Sequence, residues 1–155
     1  MNIFKFIIKT VSTFFYVGYL PLIPGTFASL AGAYLFYLLK DNLILYSAFT
    51  LGLLIIGFFI TGEAENIFAQ KDSRYIVIDE VTGMFLALAL VPYSFRMLIL
   101  GFFLFRILDT LKPYPANRME RLKGSLGVMG DDIVAGLYTN IILQLAFRFI
   151  SFKAS

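Results

Sequence analysis

The chain has no cysteine and no histidine. Without cysteine there is no disulfide framework, no thiolate nucleophile and no zinc–cysteine site. Without histidine no imidazole can serve as nucleophile, general base or metal ligand. Charge is scarce as well: 15% of the 155 residues are Asp, Glu, Lys or Arg, where a soluble domain carries about a quarter. The 13 basic residues are scattered between apolar runs instead of forming one solvated stripe, which argues against nucleic-acid recognition. Internal repeats, low-complexity tracts and flexible linkers are absent too. Any catalysis must therefore rest on carboxylates, Lys, Arg, Tyr, Ser or Thr, with a hard cation as the natural companion.

What is present is apolar. The composition is 59% hydrophobic and 17% aromatic, with a mean hydropathy of +0.83 and a net charge of +3. This predicts a single integral membrane domain over residues 1–155. The opening "MNIFKFIIKTVSTFFYVGYLPLIPG" has the lysines and apolar residues of a signal peptide. Its Pro-Leu-Ile-Pro-Gly break and the lack of a small-x-small cleavage site argue against one. Lys5, Lys9 and Thr13 recur every four residues, with Ile3, Phe6, Ile7, Thr10, Phe14 and Val17 on the other side, so residues 1–18 read as a helix lying in the membrane interface.

Residues 25–155 read as an all-α bundle. Leu43–Ile60 runs 18 residues without a charge, and Phe27–Leu39, Ile76–Val91, Phe95–Leu108 and Ile133–Phe147 are shorter apolar runs. The expected architecture is a small polytopic bundle of about five membrane helices, some short, plus the interfacial N-terminal helix. If the N-terminus lies in the cytoplasm and the runs alternate, Lys5, Lys9, Lys71, Arg74, Arg106, Lys112, Arg118, Arg121 and Lys123 share the cytoplasmic side. Lys40, Arg96, Arg148 and Lys153 fall opposite. Nine against four obeys the positive-inside rule. The same assignment brings Asp79 and Glu80, Asp109, Asp131 and Asp132, and the "PGTFAS" segment to one membrane level.

Five carboxylates at one level repel one another, and Arg106 and Lys112 cannot neutralise them all. One or two divalent cations could. Oxygen ligands without His or Cys favour Mg²⁺, with Mn²⁺ or Ca²⁺ as substitutes. Three surrounding segments suit phosphate. "KGSLGVMGDD" reads as a loop with glycines at 124, 127 and 130 running into a helix N-terminus. "PGTFASLAG" offers Thr26 and Ser29 beside Gly25 at another helix start. In "FRILDTLKPYP", Arg106 and Asp109 share a helical face, Lys112 follows a turn later and Pro113 ends the helix. Together these groups fit phosphoryl chemistry. Each also has a plainer reading, as helix-start acids, an i,i+3 ion pair, caps or loop glycines. Glu63 and Glu65 read as a solvated helix end, and Asp72 and residues 118–123 as facing water or headgroups.

The motifs GT-x-x-S, IDE-x-x-G, FR-x-x-D-x-x-KP and DD-x-x-AG, in that order and across nearly the whole chain, resemble the A-type phosphatidylglycerophosphatases, small bacterial membrane phosphatases. The resemblance implies a Mg²⁺-dependent hydrolase (Mn²⁺ a possible substitute) that converts phosphatidylglycerol phosphate to phosphatidylglycerol and phosphate at the cytoplasmic leaflet of the inner membrane. It implies metal ligation by Asp79, Glu80, Asp109, Asp131 and Asp132, catalysis by Asp79, Asp109, Asp131 and Asp132, and phosphate binding by Thr26, Ser29, Arg106 and Lys112. Lys71-Asp72-Ser73-Arg74 replaces an expected Asp-Pro-Gly-like turn, and Gly130 replaces an apolar residue. Attack by water and attack by an Asp both remain open. The rival readings are a small carrier that uses intramembrane acids for its cation, a non-catalytic subunit and a CDP-alcohol phosphatidyltransferase, whose D-G-x-x-A-R signature is missing.

Overall fold

The computed structural model describes residues 2–153, with side chains through Phe149; Met1, Ala154 and Ser155, within the expected domain bounds, and the Lys153 side chain in the charge count lie outside that description. All described secondary structure is helical: α1 (Ile3–Ser12), α2 (Pro24–Leu39), α3 (Leu43–Phe68), α4 (Ile78–Leu88), α5 (Phe95–Leu111), α6 (Ala116–Met119) and α7 (Ser125–Lys153), with a 3-10 turn at Val17–Tyr19. Two of these, α3 and α7, are long and apolar enough to cross a membrane.

The N-terminal helix expected over residues 1–18 stops at Ser12. Phe14, Phe15 and Tyr16 take φ of 46°, 53° and 70°, the left-handed region in which an α-helix cannot continue. Thr13 holds the turn, its hydroxyl accepting from the Tyr16 N–H (3.1 Å) and its carbonyl from the Gly18 N–H (3.0 Å). Gly18 then lies against the Tyr75 carbonyl with no room for a Cβ, and the Ser12 carbonyl accepts from the Val77 N–H (2.9 Å). These contacts tie the N-terminal segment to the chain entering α4. Ile8 and Ser12 face the body, while Ile3, Phe4, Phe6 and Ile7 remain exposed.

The run Ile76–Val91 is helical over Ile78–Leu88 alone. Its helical part is 11 residues, about 16 Å at 1.5 Å per residue, and it is enclosed by neighbouring helices: Ile78, Asp79, Val81, Thr82, Gly83, Met84, Phe85, Ala87 and Leu88 are buried. A helix that ends inside an apolar bundle must have its last carbonyls satisfied by protein. Here the Tyr46 hydroxyl donates to the Phe85 carbonyl, the Ala89 and Val91 N–H groups to those of Leu86 and Leu88, and Asn140 Nδ2 to those of Ala87 (3.2 Å) and Ala89 (2.7 Å). Asn140→Leu should therefore lower stability by about 1–3 kcal/mol, through buried carbonyls left unpaired. Thermal unfolding in detergent checks this, and an unchanged midpoint would refute it.

Small residues set the crossings. Gly25, Ala28, Ser29, Gly32 and Ala33 form the buried stripe of α2. A Cβ at Gly32 would lie 3.1 Å from Met84 Cβ. Gly83 of α4 and Gly136 of α7 meet backbone to backbone: a Cβ at Gly136 would fall 2.5 Å from the Gly83 carbonyl oxygen, and one at Gly83 2.8 Å from that of Asp132.

Candidate active site

That glycine crossing sits four residues beyond Asp79 on α4 and four beyond Asp132 on α7, so one helical turn back from the contact both helices present acids to the same space. Asp79 and Glu80 occupy the first turn of α4, and Asp131 and Asp132 lie two turns into α7. Asp109 comes from the last turn of α5. One oxygen each from Asp79, Glu80 and Asp132 lie within 4.8 Å of one another, and so do oxygens from Asp109, Asp131 and Asp132. The structure thus gathers all five acids picked out in the sequence.

Burial makes the cluster costly. Asp79, Asp131 and Asp132 are 6%, 6% and 3% exposed. Asp79 Oδ1 and Glu80 Oε2 are buried without a hydrogen-bond partner among the described residues. Unpartnered carboxylate oxygens in a dry pocket require a cation or protons. Hard oxygen donors with no thiolate or imidazole match Mg²⁺ or Mn²⁺, so the residues present fit the metal that the sequence motifs imply.

Two basic side chains border the acids. Arg106 Nη1 pairs with Asp109 (2.7 Å) and reaches the Ser29 hydroxyl at 3.4 Å. Ser29 is fully buried and donates to the Gly25 carbonyl (2.9 Å), so it anchors Arg106. Lys112 caps α5 in the left-handed region at φ 46°, just ahead of Pro113. Its Nζ spans Asp131 (2.6 Å) and Glu120 (2.9 Å). Burial pulls the Lys112 pKa down, but the hydrogen bonds it donates to Asp131 and Glu120 outweigh that and hold the ammonium above its ordinary range. Thr26 is half-buried in the first turn of α2, its N–H on the Ile23 carbonyl (3.1 Å). Gly25, beside it, abuts Glu80 Oε1 so closely that no Cβ fits.

The glycine loop expected at 124–130 is a helix. α7 begins at Ser125, so Asp131 and Asp132 do not stand at its N-terminus. Gly127 and Gly130 are packing positions, the first against the Leu122 carbonyl and the second 3.1 Å from Met119 Cβ. Gly124, at φ +66°, is the turn residue.

Two acids have roles that the sequence did not signal. Glu120 shares Lys112, while its own carbonyl accepts from Lys71 Nζ at 3.0 Å. Glu65, expected to be solvated, accepts from the N–H groups of Asp72 (2.7 Å) and Gly124 (3.1 Å), bracing the approach to α4 against the start of α7. Glu63 is exposed as expected. Asp72 is exposed, as expected, although partial burial of its carboxylate raises its pKa; nearby Lys112 opposes that rise, while Glu120, Glu65 and Asp109 add to it.

A family model described as Phosphatidylglycerophosphatase A matches residues 10–147. A Bacteroides thetaiotaomicron protein named "Putative phosphatidylinositol-3-phosphatase" is 34% identical over 151 residues, covering 92% of this chain and 94% of its own length. The phosphatidylglycerophosphatase A of Escherichia coli is 36% identical over 129 residues, covering 81% of this chain and 75% of its own. That of Haemophilus influenzae is 34% identical over 124 residues, with 77% and 76% covered. No solved structure matches the chain.

Proposed function

The chain belongs to the phosphatidylglycerophosphatase A family, and from that premise we propose that its five-carboxylate pocket is where phosphatidylglycerol phosphate loses its terminal phosphate, with Mg²⁺ as the resident cation. The observation that carries the reading is the pair of buried, unpartnered oxygens on Asp79 and Glu80 among acids from three helices, flanked by Arg106 and Lys112.

Asp79, Glu80, Asp109, Asp131 and Asp132 would hold the metal. When bound, Mg²⁺ supplies charge neutralisation and a template for phosphate oxygens. Arg106, held by Ser29 and Asp109, and Lys112, held by Asp131 and Glu120, present cationic N–H groups where charge develops on the phosphoryl oxygens. Gly25 abuts Glu80 Oε1, which brings the N-terminus of α2, the end of a helix that favours anions, beside the pocket. One carboxylate of the set takes the proton of an attacking water. We favour water over carboxylate attack because Asp109 and Asp131 are held in ion pairs and the remaining acids would be occupied by the cation. Acid-quenching a single turnover of substrate carrying ³²P in its terminal phosphate checks the step: ³²P found covalently on the protein before it appears as free phosphate would reject it.

The protein would be multi-pass in the bacterial inner membrane, α3 and α7 crossing and the shorter α2, α4 and α5 packed between them. The acids would lie near the cytoplasmic surface, with the diacyl tails left in the bilayer.

The test is phosphate release from phosphatidylglycerol phosphate by the full chain in vesicles. Release should fall to background in EDTA and return with Mg²⁺ or Mn²⁺, whereas release unchanged by EDTA would reject the metal assignment. The name of the Bacteroides relative favours a second headgroup of the same chemistry, a phosphorylated inositol. Faster release from phosphatidylinositol 3-phosphate would move the substrate assignment there.

A further inference from the structure

Resting on that reading of the pocket, we infer that it contains two cation positions of unequal affinity, sharing Asp132 as the bridging ligand. Asp132 belongs to both acidic groups: with Asp79 and Glu80 on one side, and with Asp109 and Asp131 on the other. A carboxylate has two oxygens and can serve one ion with each, the arrangement by which paired ions about 3.5–4 Å apart are held.

The two groups differ in what already neutralises them. Among the described residues no ion pair reaches Asp79, Glu80 or Asp132, and Asp79 Oδ1 and Glu80 Oε2 lack any hydrogen-bond partner. A cation entering there displaces no protein charge. On the other side Asp109 is paired with Arg106 at 2.7 Å and Asp131 with Lys112 at 2.6 Å. A cation entering there competes with a guanidinium and an ammonium. The position at Asp79, Glu80 and Asp132 therefore fills first. The position at Asp109, Asp131 and Asp132 fills second, and Lys112 sets its affinity.

Mn²⁺ alone, titrated into the detergent-purified full chain, tests this by metal analysis after equilibrium dialysis and by EPR. At low Mn²⁺ one ion per chain should bind with an isolated-ion spectrum. At higher Mn²⁺ a second should bind and an exchange-coupled spectrum appear. Asp109→Asn should keep the first ion and lose the coupled signal, whereas Asp79→Asn should lose the tight ion. Lys112→Gln should tighten the second ion by about tenfold or more, since a competing charge is gone, and leave the first unchanged. A single ion at saturation in the unmodified protein, two ions without coupling, or Lys112→Gln with unaltered second-ion affinity would each overturn the inference. These readouts do not depend on turnover. Two coupled ions in a protein that releases phosphate from neither lipid would sink the lipid assignment and leave this one standing.

Discussion

Asp132→Asn should lower phosphate release by about a thousandfold, the loss typical of removing a pre-positioned electrostatic group, without unfolding the chain. In EDTA it should raise the unfolding midpoint. Asp132 is the one acid common to both carboxylate groups and is 3% exposed, so losing its charge weakens every arrangement in which a cation meets the phosphate. Asn has nearly the same shape, and its amide can donate to a neighbouring carboxylate, so the packing of α7 persists. The stability gain has a separate cause. Without metal, five acids share a buried space with two basic partners, and removing one buried, uncompensated charge relieves repulsion by about 1–2 kcal/mol, a few degrees for a chain of this size. Circular dichroism melts in EDTA and in Mg²⁺ separate the two effects, because the metal should stabilise the unmodified protein more than the variant. Near-normal turnover in Asp132→Asn, with Asp79→Asn also active, would defeat the assignment of this pocket.

How far the site was legible depends on the kind of information involved. That the five acids come together was expected from alternating the apolar runs and counting charges, and their oxygens do gather in two groups that share Asp132. That Ile76–Val91 holds an enclosed half-length helix did not follow, since an apolar run reports burial and says nothing of whether lipid or protein buries it. α3 runs to Phe68, eight residues beyond the apolar stretch ending at Ile60, because hydropathy ends where charge begins whereas a helix goes on through Gly62-Glu63-Ala64-Glu65. The glycines at 127 and 130 were open to two readings: glycine suits a phosphate loop and a close helix crossing alike, and the neighbours that decide, Leu122 and Met119, are tertiary facts. Lys112 was found as a basic group of the site, but its reach to Asp131 depends on its left-handed backbone at the end of α5. Glu65 and Glu120 gave no signal, since what they do lies in which loops they happen to meet.

The second large effect should come from a residue with no chemistry. Gly136→Ala should reduce turnover by about a hundredfold, the loss expected when reacting groups move about 1 Å. The added methyl would lie 2.5 Å from the Gly83 carbonyl oxygen and 3.2 Å from its carbonyl carbon and Cα. Those are backbone atoms of another helix and cannot rotate away, so α4 and α7 must part. Asp79 and Glu80 ride on one helix and Asp132 on the other, one turn from the crossing, and the separation is transmitted directly to the distances among their oxygens. Overpacking should also cost about 1–3 kcal/mol. Gly52→Ala is the internal control, since a Cβ there meets nothing within 4 Å; it sits inside α3, where Ala is the better helix former by about 1 kcal/mol, and activity should not change. A merely destabilised Gly136→Ala would regain activity on cooling, whereas a displaced pocket would keep its deficit and bind Mn²⁺ more weakly at every temperature. If Gly136→Ala matches the unmodified chain in turnover and Mn²⁺ affinity, the glycine crossing does not set the spacing of the acids.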